Sequence, residues 1–265
     1  MSNKTVEALF LGDICGKPGC RALFIGLRQL IRNHKIDVVI ANGENSANGF
    51  GITPEEADQF FSVGVDVITT GNHIWQKEEI QYRLKSDERI LRPANYPPGV
   101  IGHGYTVIEK NGISVAVVNL QGRVSMPQTD CPFRTADEII KQLQGKAKII
   151  LIDFHAESSE EKEALALYLD GRASVLVGTH THVQTADERI LPEGTGYITD
   201  IGMTGAALSV IGSDPGISIQ RQLTQIPLRS EISDSPAMIN GLIATIDPAS
   251  GKTLKLKRLN TYLGV

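Results

Sequence analysis

The stretch Val6-Glu7-Ala8-Leu9-Phe10-Leu11-Gly12-Asp13 decides the fold. A strand-length, mostly apolar run stops at a glycine and a carboxylate, which is how a strand buried on both faces reads when its end carries a functional group. The pattern recurs along the chain. Asp37–Ala41 leads to Gly43-Glu44-Asn45, Val65–Thr69 to Gly71-Asn72-His73, Ile149–Phe154 to His155, and Val175–Val177 to Thr179-His180-Thr181-His182. In an open α/β fold the loops at the carboxyl ends of the strands gather at one edge and form the binding crevice. The shared strand-end placement predicts that these polar clusters meet, with Asp153 beside His155 and Asp200 approaching from the rim after a Tyr197–Thr199 strand.

Helix signals lie between the apolar runs. A helix is expected from near Pro18, with Leu23, Leu27, Leu30 and Ile31 on one face. Thr53-Pro54-Glu55-Glu56 reads as a helix start, with Thr53 as N-cap and Glu56 completing a capping box. A short helix is expected over Lys77–Leu84 and another near Glu160–Leu169. Tyr105–Glu109 and Ile113–Asn119, joined through Lys110-Asn111-Gly112, read instead as a hairpin. Met238–Ile246 and Leu254–Arg258 are late strands with a turn at Ser250-Gly251. Parallel units mixed with hairpins predict an α/β fold of two facing sheets with helices outside. Pro93–Gly104 and Gln121–Phe133 read as loops, and the absence of a linker or repeat predicts one domain over 1–265.

Composition narrows the function. The 265 residues are 41% hydrophobic and 21% charged, ordinary for a globular protein, and a net charge of −4 supplies no basic footprint for a stable nucleic-acid complex. Three cysteines, Cys15, Cys20 and Cys131, have no disulfide-framework spacing and read as reduced thiols in a cytoplasmic protein. The apolar run after Met1-Ser2-Asn3-Lys4-Thr5 is too short for a signal peptide or a membrane span, and no longer one occurs, so no membrane partner is expected.

The strand-end residues form a ligand set for two divalent metals. Asp13, Glu44 and His182, with Asn45 assisting, would hold one ion; Glu44, Asn72, His155 and His180 would hold the other, Glu44 bridging. Such a pair polarises a bridging water for in-line attack on phosphorus. His73, beside Asn72, would protonate the departing alkoxide or orient the phosphate, and Asn45 could donate to a phosphate oxygen. Read singly, Asp13 is an ordinary turn residue, Glu44-Asn45 a loop anchor and His155 a core imidazole. The His180/His182 pair is harder to dismiss, because alternate residues of an extended segment share a face. Cys15 and Trp75 read as packing residues, His34 as solvated, and His103 and Arg123 as peripheral.

Gly12-Asp13, Gly43-Glu44-Asn45, Gly71-Asn72-His73, His155 and Thr179-His180-Thr181-His182 together resemble the calcineurin-like metallophosphoesterase superfamily, and within it the YmdB-like branch of bacterial phosphodiesterases. Asn119–Arg123, Asp130–Phe133 and Thr199–Gly205 carry the resemblance further, so that it spans essentially the whole chain. Cys15 stands where the superfamily usually has histidine, and Glu44 where it usually has aspartate; both departures resemble the narrower branch. Ala206-Ala207 replace that branch's common proline–tyrosine pair. The resemblance implies a four-layer α/β/β/α sandwich, a dinuclear iron or manganese site, self-association into a homo-oligomer, and hydrolysis of cyclic nucleotides such as 2′,3′-cyclic AMP. The rival expectations are a phosphomonoesterase or nucleotidase with the same metal core, and a metal-dependent regulatory protein with incidental hydrolysis. An RNA-binding module is disfavoured by the charge and by the lack of interleaved basic and aromatic residues.

Overall fold

The computed structural model describes residues 5–264; Met1–Lys4, on which part of the N-terminal reading rests, and Val265 lie outside the described residues. The chain opens with β1 (Val6–Leu11), the two-residue β2 (Asp13–Ile14), α1 (Gly16–His34), β3 (Val38–Asn42), α2 (Pro54–Val63) and β4 (Val67–Thr69). Two 3-10 turns, Ile74–Gln76 and Glu78–Ile80, lead into α3 (Gln81–Ser86). A hairpin of β5 (Tyr105–Lys110) and β6 (Ile113–Gln121) precedes α4 (Pro132–Leu143), β7 (Ile149–His155), α5 (Ser159–Tyr168) and β8 (Val175–Thr179). β9 (Arg189–Ile190), β10 (Gly196–Ile198), β11 (Met203–Ala206), α6 (Pro215–Thr224), β12 (Ala237–Ile246) and β13 (Thr253–Tyr262) complete it.

These strands form two mixed sheets. One is seven-stranded in the order β2-β11-β12-β1-β3-β4, with β13 also on β12; the other is six-stranded, β5-β6-β7-β8-β10-β9. β1, β3 and β4 run parallel, as do β6, β7 and β8, so in each sheet three neighbouring strands end at one edge.

Side-chain alternation turns the two sheets into four layers. Leu9 and Leu11 of β1 and Val39 and Ala41 of β3 pack with Leu23 and Leu27 of α1 and Phe60 of α2. Their sequence neighbours Ala8, Phe10, Val38 and Ile40 point the other way, into an inter-sheet core with Val115, Val117, Leu151 and Val177. Beyond the second sheet, Ala116, Val118, Ile152 and Leu176 pack on Ala136 and Ile139 of α4 and Leu165 of α5. Burying one such large side chain as completely as Phe10 stabilises the fold by roughly 1.5–3 kcal/mol. The α/β/β/α sandwich follows from runs buried on both faces.

Local signals mostly act as expected. Thr53 accepts from the Glu56 N–H while the Glu56 carboxylate accepts from the Thr53 N–H, and Pro54 opens α2. The β5–β6 hairpin turns through Asn111 and Gly112, both at positive φ. The expected Lys77–Leu84 helix is instead a 3-10 turn followed by α3, shifted toward Ser86. The Gln121–Phe133 loop ends where α4 begins at Pro132; α4 buries Ala136, Ile139 and Leu143 on one face. Among the described residues no helix is long and apolar enough to cross a membrane.

Candidate metal centre

The inter-sheet face changes character toward the carboxyl edge. Alternation places Val38, Ile40 and Asn42 of β3 on that face, with Ile149, Leu151, Asp153 and His155 of β7, and Val175, Val177 and Thr179 of β8. Each series begins apolar and ends polar, and all of these residues are buried. The polar ends form a platform. Asp153 accepts from the Asn42 amide at 3.1 Å, from the Thr179 hydroxyl at 2.7 Å and from the Thr69 hydroxyl. Because the Thr179 proton goes to Asp153, its oxygen is free to accept from His155 Nδ1, 2.9 Å away. That leaves Nε2 of His155 facing outward from the platform, the second-layer arrangement that orients metal-binding histidines.

Above the platform, Glu44, His155 and His180 each turn one ligand atom into a common space, all within 4.8 Å of one another. His155 Nε2 is 2.9 Å from Glu44 Oε1 and 3.0 Å from His180 Nδ1. Glu44 is anchored through its own N–H, which donates to Asn42, and its Oε2 accepts from the His73 N–H at 3.1 Å. Asp13, Asn45 and His182 form a neighbouring group: Asn45 Nδ2 lies 3.1 Å from His182 Nε2 and 3.4 Å from Asp13 Oδ1. Asn45 Nδ2 is also 3.4 Å from Glu44 Oε1, so Glu44 stands between the two groups. Asn45 Oδ1 accepts from His73 Nδ1 at 2.7 Å, which leaves His73 Nε2 as that ring's free nitrogen.

His180 and His182 reach these groups by a route the sequence does not suggest. They lie beyond β8 rather than in an extended segment, and both have positive φ, 104° and 65°. Non-glycine residues held there are strained, a condition that clusters at functional sites. Gly71 is equally constrained: a Cβ on it would lie 2.0 Å from His155 Cδ2 and 2.4 Å from Glu44 Oε2.

Electrostatics separate the groups. Burial would push the Glu44 carboxyl up, but the His155 and His73 imidazoles facing it hold it well below its ordinary value. Burial would likewise lower His155, yet Glu44, then Asp13 and Asp153, raise it to about 9. His180 is pushed down to about 3 by burial and by its neighbour His155. Burial raises Asp13, with His182 and His155 only partly offsetting it.

The donor set fits a divalent cation. It mixes carboxylate oxygens with imidazole nitrogens, the combination that suits Fe, Mn and Zn. Asn72, between Gly71 and the His73 N–H that contacts Glu44, has a buried Oδ1 without a hydrogen-bond partner. A buried carbonyl oxygen left unpaired costs roughly 1–3 kcal/mol, a cost that a cation ligated there removes.

A cavity of about 350 Å³ opens onto the site. Sequence reasoning missed several of its walls: Phe50, Glu157, Ile211 and Ile232. Glu157 Oε2 is 3.2 Å from His180 Nε2, and the Phe50 ring meets His73 edge-on at 5.1 Å. Glu157, two residues after His155, carried the one available signal. Cys15 lines the cavity as a buried thiol that burial and then Asp13 push up to about 12, far from a thiolate. Trp75 packs edge-on against Tyr96, and Arg123 lines a separate cavity with Glu161. Asp200 is fully buried, not on the rim.

Comparison with known proteins agrees with this geometry. A model of the YmdB-like protein family matches residues 9–259. The chain is 44% identical to a 2′,3′-cyclic-nucleotide 2′-phosphodiesterase of Bacillus subtilis, over 96% of both chains. A hypothetical protein from Thermus thermophilus superimposes with a TM-score of 0.90 at 39% identity, covering 97% of this chain and 99% of that one. A phosphatase from Mycoplasma pneumoniae gives a TM-score of 0.92 at 33% identity, covering 98% and 94%. With its Glu44–His155–His180 cluster, the chain is a metal-dependent hydrolase and belongs to the YmdB-like branch of the calcineurin-like metallophosphoesterases.

Proposed function

We propose that this chain is a dinuclear phosphodiesterase that opens 2′,3′-cyclic nucleotides, 2′,3′-cyclic AMP in particular. The position of Glu44 carries the reading: its carboxylate lies between the Asp13–Asn45–His182 group and the His155–His180 group. Asp13, Glu44 and His182 would hold one ion; Glu44, Asn72, His155 and His180 would hold the second, with iron or manganese suited to this mixed set. Bound divalent ions supply Lewis-acid polarisation of a water and of the phosphoryl oxygens.

The chain's own residues do the rest. Asn45 commits its oxygen to His73, so of its two expected roles, metal ligand and phosphate donor, its nitrogen fits the second. That hydrogen bond fixes the His73 ring with Nε2 free, in a side chain 24% exposed at the cavity. Attack of a water oxygen on phosphorus forms one P–O bond and breaks the bond to the 2′-oxygen; His73 delivers the proton that this oxygen takes up, and the proton released by the water passes to solvent. Phe50, Ile211 and Ile232 give the cavity an apolar wall for a base, and its volume is within the range of small-molecule sites. A cyclic phosphodiester carries one charge, in keeping with a cavity wall without lysine or arginine. The name of the Bacillus subtilis relative supports the substrate class.

The test is metal analysis and hydrolysis on one preparation reconstituted with iron or manganese. The reading predicts near two ions per chain and metal-dependent opening of 2′,3′-cyclic AMP in preference to nucleoside monophosphates. Preference for the monophosphates would replace the diesterase by a phosphatase.

A further inference from the structure

Lys162 lies on α5, in the outer layer of the sandwich, where a lysine ordinarily reaches solvent. Here it is wholly buried, and its Nζ donates to Asp200 Oδ2 at 2.8 Å. Its stem crosses β8 at Gly178, where a Cβ would stand 2.7 Å from Lys162 Cδ and 1.8 Å from the Thr199 carbonyl oxygen. A buried ion pair is weak grounds for stability, because desolvating both charges offsets their attraction. What Asp200 holds is more telling. The same Oδ2 accepts from the Thr181 hydroxyl at 2.8 Å and from the Thr181 N–H at 3.2 Å, while Oδ1 accepts from the Gly202 N–H at 2.8 Å.

Thr181 is the residue between the two strained histidines. His180 turns Nδ1 toward His155, and His182 turns Nε2 toward Asn45 while its Nδ1 donates to the Ile211 carbonyl. An extended backbone would send both imidazoles to the same face. Positive φ on either side of Thr181 sends them to different partners, and such a backbone persists only where its surroundings fix it.

We infer that Lys162 and Asp200 form a positioning clamp on Thr181 that aims His180 and His182 at separate halves of the metal site. Neither residue touches substrate; the clamp acts through the histidines. The inference rests on the reading that these histidines bind metal, and the test keeps the two apart.

Cobalt(II) is titrated into metal-free protein and followed by its visible d–d absorption, alongside thermal unfolding. Thr181→Val removes a hydroxyl bond without burying a new charge. The clamp predicts cobalt affinity about tenfold weaker, the low end for loss of a residue supporting metal ligands. It also predicts a changed absorption envelope, with a thermal midpoint near that of wild type. Thr181→Ser keeps the hydroxyl and should restore both affinity and spectrum. The double variant Lys162→Met with Asp200→Asn removes both charges together and should weaken cobalt about a hundredfold; should it fail to fold, Thr181→Val decides alone. Wild-type affinity and spectrum in Thr181→Val, whatever its thermal midpoint, would overturn the clamp. A wild-type protein that takes up no cobalt would instead bring down the metal reading beneath it.

Discussion

Glu44 Oε1 and His155 Nε2 are 2.9 Å apart with both side chains wholly sealed from solvent, and the backbone of Gly71 lies against them both. The contact is possible only because residue 71 has no side chain. Both neighbours of a new methyl are fixed: Glu44 by the Asn42 amide and the His73 N–H, His155 by Thr179. Gly71→Ala should therefore destabilise the fold by about 1–3 kcal/mol, as overpacking does, and lower metal content. Denaturant unfolding and metal analysis of this variant check the claim; unchanged metal content would show that the site can yield.

Glu44→Gln keeps the shape and removes the charge that faces both ligand groups. Metal should fall at both positions rather than one, because Glu44 lies between them. Chelation of the wild type should also lower its thermal midpoint, since a ligand at a hundred times its Kd stabilises the folded state by about 2.7 kcal/mol. For a chain of this size that is a shift of roughly 5–10 °C. Elemental analysis and thermal scans with and without chelator read both effects. Loss of one ion only in Glu44→Gln would assign Glu44 to a single ion.

His73→Ala should leave metal content near that of wild type, because the backbone N–H contact to Glu44 Oε2 at 3.1 Å survives and only the longer ring contact to Oε1, at 3.4 Å, is lost. Turnover on 2′,3′-cyclic AMP should fall by roughly 10²–10⁴-fold, the usual contribution of a general acid. A nitrophenyl diester, whose leaving group needs no proton, should lose much less. Equal losses on the two substrates would point to a phosphate-orienting role for His73.

Much of this site is legible in the sequence because its residues sit where apolar runs stop. Gly12-Asp13, Gly43-Glu44-Asn45 and Gly71-Asn72-His73 punctuate strands of one sheet, and parallel pairing brings strand ends together whatever their separation in sequence. The capping box at Thr53 and Glu56 is likewise local chemistry, readable from four residues. Asp153 reads correctly as the end of its strand, but its role does not. That role depends on Asn42, Thr69 and Thr179, which only the packing of the two sheets supplies. Lys162 gives no signal, because its burial depends on a glycine in another element. No helix is expected from the sequence at α4, although Ala136, Ile139 and Leu143 give it one buried face; β11, four residues reading Met203-Thr204-Gly205-Ala206, has little strand propensity and forms by pairing with β2 and β12.

The segment that follows His73 is tied down by Asp87, and this tie should appear in acid. Asp87 accepts from Arg89 Nε at 2.9 Å, from Arg89 Nη2 at 2.8 Å and from Arg83 Nη2 at 3.1 Å. The same turn brings the Arg89 carbonyl to the Ile68 N–H of β4, the strand from whose end Asn72 and His73 project. Burial would raise the Asp87 carboxyl, but the Arg89 guanidinium, the Arg89 backbone N–H at 3.1 Å and the Arg83 guanidinium outweigh it and lower the value from 3.8 to about 2. A carboxyl depressed on folding stabilises the protein above its unfolded value, and that contribution is lost as pH falls through the folded one. The window is therefore pH 3.8 down to about 2. Arg89 is half exposed, so solvent screening holds the contribution to about 1 kcal/mol. Asp87→Asn should lose about that much at pH 7 and show a flatter decline between about pH 4 and pH 2, with turnover at neutral pH near wild type. Urea unfolding at about pH 7, 4 and 2.5 for both proteins makes the comparison. Parallel acid limbs would mean that the Arg83 and Arg89 pairs contribute nothing to the fold.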